Sequence, residues 1–119
     1  MSIDNIHIIK EPITRLELKK IADETFGYVV KGAVDIEQEK IGLGGELHID
    51  IAVELHKRFQ SKNNNLWGIN LYPDKTGEEF IEFDSMVNIK PNLGNRTRSI
   101  DSQEIRDKIK EIVNKFILE

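Results

Sequence analysis

Apolar positions recur along this chain with two spacings, and each switch between them predicts an element. Ile6 to Ile9 reads as a short opening strand, and Pro12 then interrupts the chain. Thr14 followed three residues later by Glu17 is a capping box, flanked by Ile13 and Leu18 as a hydrophobic staple. Leu16, Ile21, Ala22 and Phe26 then predict the apolar stripe of a first helix, which Gly27 stops. Residues 28–36 are rich in β-branched side chains, and 37–40 form a polar turn. Ile41, Leu43, Leu47 and Ile49 alternate with Gly42, Gly44, Glu46 and His48, so residues 28–49 read as a β-hairpin. The glycines at 42, 44 and 45 mark a bulge, or a place where a backbone or ligand comes close.

From Asp50 to Phe59 the spacing turns helical, with Ile51, Leu55 and Phe59 on one side. The stretch SKNNN at 61–65 is a polar loop, Leu66 to Tyr72 a strand ended by Pro73, and DKTGEE a turn. Phe80 to Lys90 reads as a long strand with Ile81, Phe83, Val87 and Ile89 on one face. After a loop centred on Gly94, Asp101 caps a last helix whose box is closed by Glu104 and whose staple joins Ile100 to Ile105. Ile105, Ile109, Ile112, Val113, Phe116 and Ile117 form its stripe. The pattern predicts one α+β domain over residues 1–119: an antiparallel sheet of four to five strands with two to three helices packed on one face.

Composition narrows the function classes more than it names one. At 119 residues, 39% hydrophobic and 32% charged, the chain is ordinary for one globular domain. Without cysteine, thiolate metal sites, disulfides and cysteine nucleophiles are excluded, which fits a cytoplasmic location. The start MSIDNIHIIKEP does not read as a signal peptide, and no apolar run reaches the roughly 20 residues that cross a bilayer. A net charge of −4 argues against nucleic acid as the main partner.

Two constellations carry candidate chemistry. On a strand, Glu46, His48 and Asp50 would share one face, as would Glu82, Asp84 and Asn88 on the next. If the strands are neighbours, Glu46, His48, Asp50, Glu82 and Asp84 could hold a divalent cation, with Glu46, His48 and Asp84 as acid–base candidates. The plainer alternative is a charged sheet face that meets water. Trp67, Ile69 and Leu71 point into the core by parity, which leaves Asn70 and Tyr72 to join the polar face. The second constellation is the NLGNRTRSIDS loop, where Arg96, Arg98 and Ser99 could bind phosphate or carboxylate ahead of the last helix. Against it, Asp101 and Glu104 compete for the helix amides, and Glu82 and Asp84 are plausible internal partners for the arginines. If those pairs form, loop and polar face make one pocket.

The blocks GGELH at 44–48, LWGINLYP at 66–73, EFDSMVNIKP at 82–91 and GNRTRS at 94–99 resemble a family of small prokaryotic proteins known only as a domain of unknown function. The likeness extends to the capped first helix and to EIRDKIKEIVNKFI near the end, and covers most of the chain. It implies a shared fold and carries no mechanism, cofactor or ligand. Two readings of function follow from the residues. One is a binding or interaction module whose polar face and Arg loop engage an anionic small ligand or a protein partner, a second copy of the chain included. The other is a small metal-dependent hydrolase-like enzyme built on the carboxylates and His48. Direct pairing of Arg96 or Arg98 with those carboxylates would favour binding or structure.

Overall fold

A computed structural model describes residues 5–119. Most of the alternating segments do build a sheet. Strands β1 (Ile6–Ile8), β3 (Val30–Asp35), β4 (Lys40–Gly44), β5 (Leu66–Leu71) and β6 (Ile81–Glu82) lie in the order β1-β4-β3-β5-β6, and every neighbouring pair is antiparallel. Two short strands, β2 (Ile13–Thr14) and β7 (Ile117–Leu118), pair in parallel as a separate ribbon. The α+β class and the antiparallel five-stranded sheet are as the periodicity predicts.

Strand parity decides which side chains enter the main core. Val30 and Val34 of β3, Ile41 and Leu43 of β4, and Trp67, Ile69 and Leu71 of β5 all face the same side. Helices α1 (Arg15–Asp23) and α3 (Gln103–Phe116) cover it with Leu18, Ile21 and Ala22, and with Ile109, Ile112, Val113 and Phe116. Each fully buried aliphatic side chain there contributes about 1.5–3 kcal/mol. The Lys90 amine lies 5.1 Å from the centre of the Trp67 ring and donates to the Val87 carbonyl at 3.0 Å. Trp67 is therefore a core residue, as parity implies.

Helix α2 (His48–Phe59) packs on the other side of the sheet, where Ile51, Ala52 and Leu55 meet Ala33 and Leu66. The helices thus divide between the two faces instead of sharing one. Gly42 permits this: a Cβ there would sit 2.7 Å from Ile51 Cγ2.

The helix caps are nearly those expected. Thr14 and Glu17 form the reciprocal capping box of α1, but the helix buries Leu18 and leaves Leu16 exposed. Ser102, one residue later than Asp101, caps α3, its hydroxyl accepting from the Ile105 amide at 3.2 Å. Asp101 is held instead by its own amide, which donates to Asn95 Oδ1 at 2.9 Å.

Two predicted strands are cut short, and glycine and asparagine explain both. The hairpin's second strand ends at Gly44, because Gly44 and Gly45 take φ of 100° and 72°. These are left-handed values that side chains resist. A Cβ on Gly44 would also collide with the Asn5 carbonyl oxygen. The expected strand over residues 80–90 survives only at Ile81–Glu82. Beyond it Ser85 caps a 3₁₀ turn at Met86–Asn88, and a second 3₁₀ turn follows at Pro91–Leu93. Asn88 then does by side chain what the missing strand would do by backbone. Its Oδ1 accepts from the Gly68 amide at 2.7 Å, and its Nδ2 donates at 3.0 Å to the Gly68 carbonyl and at 3.0 Å to the Arg98 carbonyl. Asn95 ties the same loop by donating to the carbonyls of Asn88 and Ser99, both at 2.7 Å. Among the described residues no helix is long and apolar enough to cross a membrane.

Candidate functional site

Because α2 begins at His48, the imidazole rises from a helix start and not from a strand. It reaches over β5 next to Gly68, where an added Cβ would stand 3.3 Å from His48 Cδ2 and 2.5 Å from Ser85 Oγ. His48 Nε2 lies 2.9 Å from the Ile69 carbonyl and 3.0 Å from Asn70 Oδ1. Both neighbours are acceptors, so Nε2 carries the proton and Nδ1 keeps a lone pair. The Asn70 orientation agrees, since its Nδ2 donates to Glu82 Oε1 at 2.9 Å and to the Asp84 carbonyl at 3.1 Å. Tyr72 completes the chain by donating to the same Glu82 oxygen at 2.8 Å.

Burial, assisted by the positive charge of Lys31, holds His48 below the usual imidazole range against the opposing pull of the Ile69 carbonyl. It is therefore neutral at pH 7. The Tyr72 hydroxyl is pushed up to about 12 by desolvation and by its bond to Glu82. Across the floor the Arg98 guanidinium forms an ion pair with Asp84, Nε lying 2.8 Å from Oδ1, with both side chains about half exposed.

Six of the expected residues therefore meet: His48, Asn70, Tyr72, Glu82, Asp84 and Arg98. The others do not. Glu46 is exposed in the turn before α2, and its shared strand face with His48 and Asp50 disappears with the strand. Asp50 sits in the first turn of α2 with Oδ2 buried and without a hydrogen-bond partner among the described residues. Arg96 is exposed and makes no side-chain bond among the described residues. Ser99 turns away from the floor and accepts from Arg106 Nη2 at 2.9 Å. Among the described residues no group of three or more His, Asp and Glu side chains is placed to hold a metal ion.

The polar floor lies in a cleft of about 400 Å³ whose other walls were not foreseen as a site. Leu47, Ile49, Tyr28 and Met86 line it, each between 50% and 69% exposed. Periodicity assigns Leu47 and Ile49 to the core only if the strand continues past Gly45. The adjacent glycines were the one local sign that it does not. Ser85 and Val87 also line the cleft, and Asn88 holds their loop against β5. Chemically the site offers apolar contact around a floor in which Arg98 pairs with Asp84 and Glu82 accepts from Asn70 and Tyr72, plus one imidazole acceptor and the Lys31 amine.

This is a small α+β protein with an antiparallel sheet between helices and a cleft above strand β5. The family described as Protein of unknown function (DUF5674) matches residues 7–116, and the chain belongs to it. No curated protein and no solved structure matches the chain.

Proposed function

We propose that the protein is a binding module and that the cleft over β5 docks a segment of a protein partner. One observation carries the reading: four large apolar side chains, Tyr28, Leu47, Ile49 and Met86, stand exposed together around a preformed polar floor. Clustered exposed apolar groups with a polar centre are the usual mark of a protein-docking surface. Scattered ones carry no such meaning. The Arg98–Asp84 pair supports binding over metal-dependent hydrolysis, because it neutralises the guanidinium and commits a carboxylate that a metal would need. It also turns the reading from an anionic small ligand towards a protein segment. The partner's segment supplies apolar side chains for the rim and one N–H or O–H for His48 Nδ1. The cysteine-free composition supports a cytoplasmic setting for this interaction.

The test is a displayed peptide library panned on the wild-type protein and counter-selected on the Ile49→Asp/Met86→Asp double variant. Both side chains are exposed, so the variant keeps the fold. Peptides with apolar anchors that bind the wild type and not the variant support the reading. Enriched peptides that ignore the two substitutions, or no enrichment at all, refute it. Sedimentation of both proteins identifies a second copy as the partner if only the wild type self-associates.

A further inference from the structure

On the opposite face of β6 from that cleft lies a pocket of about 300 Å³ that joins the start of α1, β6 and α3. Its cations come from separate parts of the chain. Arg106 and Lys110 are four residues apart on α3, so they stand on one helix face, with Asn114 a turn further on; Arg15 faces them from α1. The two guanidiniums are fixed in place by uncharged groups. Arg15 Nη1 donates to the Pro73 and Lys75 carbonyls at 3.0 and 2.9 Å, and its guanidinium stacks 3.7 Å from the Phe80 ring centre. Arg106 donates from Nε to the Ile100 carbonyl at 2.5 Å and from Nη2 to Ser99 Oγ at 2.9 Å, and lies 4.9 Å from the Phe83 ring centre.

Such anchoring orients a cation without neutralising it. Of the five N–H donors each guanidinium carries, two are used on these acceptors. Two carboxylates also line the pocket, and both are solvated: Glu119 pairs with Arg15 at 3.5 Å and Glu78 with Lys110 at 3.9 Å, with their side chains 90% and 93% exposed. Ion pairs of that kind are worth little and yield readily to a ligand. Pre-oriented guanidiniums over aromatic rings favour a planar or tetrahedral oxyanion on a small organic body. In a chain of net charge −4, a pocket whose lining sets three cations against two solvated carboxylates is locally positive.

We infer that the pocket formed by Arg15, Arg106 and Lys110 between Phe80 and Phe83 is a binding site for a small oxyanion-bearing ligand, a phosphate ester or a carboxylate. This site is independent of the docking cleft and of whatever occupies it. The experiment follows the Nε–Hε resonances of Arg15, Arg106 and Arg98 by NMR while phenyl phosphate, benzoate or inorganic phosphate is titrated into the full chain. Saturable shifts at Arg15 and Arg106, with Arg98 unmoved, are expected for at least one probe. Comparison of phenyl phosphate with benzoate tells which oxyanion is preferred. Lys110→Ala, at a partly exposed helix position where alanine keeps the helix, weakens that binding about tenfold, the loss of one charge-assisted contact. No saturable shift with any probe overturns the inference. So does saturable binding that Lys110→Ala leaves unchanged, or that moves Arg98 in place of Arg15 and Arg106.

Discussion

Replacement of Asn88 by alanine tests how the wall of the cleft over β5 is held. The Asn88 amide makes three bonds, to the Gly68 amide, the Gly68 carbonyl and the Arg98 carbonyl, at 2.7, 3.0 and 3.0 Å. Strand β6 pairs with β5 only at Asn70 and Leu71, so no backbone replaces those bonds at Gly68. A buried backbone group without a partner costs about 1–3 kcal/mol, which puts Asn88→Ala at about 3 kcal/mol for the Gly68 pair. With a urea slope of roughly 1–3 kcal/mol/M, the midpoint falls by roughly 1–3 M. Fluorescence of Trp67, the single tryptophan and a core residue, reports the transition.

The isosteric Asn88→Asp sharpens the test. One carboxylate oxygen still accepts from the Gly68 amide, while the other faces two carbonyl oxygens and repels both. Burial and those carbonyls raise the folded-state pKa of the new carboxyl above its unfolded value of about 3.9. The folded state then binds the proton more tightly, so stability is regained as pH falls through the folded pKa and lost as pH rises through it. Asn88→Asp should be the weaker variant at pH 7 and should close the gap to Asn88→Ala at pH 4. A midpoint shift below about 0.3 M for Asn88→Ala, or no pH dependence separating the two variants, would refute the reasoning.

Two further expectations concern the floor of the cleft. Gly68→Ala places a Cβ 2.5 Å from Ser85 Cβ and Oγ, so Ser85 must move, and 3.3 Å from His48 Cδ2, which must give slightly. A loss of about 1–3 kcal/mol and a Tm lower by at least about 4 °C are expected, and an unchanged Tm with unchanged NMR shifts at His48 and Ser85 would show that the contact is slack. His48 titrates below its ordinary value because burial disfavours the charged ring. Its contribution is complete above the unfolded value of about 6.5 and is lost as pH falls from there through the folded pKa. Urea midpoints at pH 7.5 and 5 should therefore drop more steeply for the wild type than for His48→Gln; parallel drops would mean that the ring is freely solvated.

Much of the fold was legible because its signals are local. The Thr14–Glu17 box starts α1, the parity of Trp67, Ile69 and Leu71 fixes which face of β5 is buried, and the Ile109–Val113 stripe fixes the buried face of α3. The candidate site was legible by residue type more than by geometry. His48, Asn70, Tyr72, Glu82, Asp84 and Arg98 do converge, but through a helix start and a loop and not through neighbouring strands. Alternation over 41–49 looks the same whether the chain runs straight or turns at Gly44 and Gly45, since Leu47 and Ile49 keep their parity either way. The apolar rim was missed for that reason.

By itself, then, the sequence determined the α+β class, the order of most elements, the faces that β5 and α3 bury and the membership of the family. Those follow from periodicity and capping, which act between residues a few positions apart. Only the tertiary structure decided where β4 and the segment after Glu82 stop, which face α2 covers and which polar groups meet. Each of those depends on a contact between distant residues: Gly44 against the Asn5 carbonyl, Gly42 against Ile51, Asn88 on Gly68 and Arg98 on Asp84. A side-chain amide or guanidinium takes the partner that packing brings within reach, and no local pattern records which one that is.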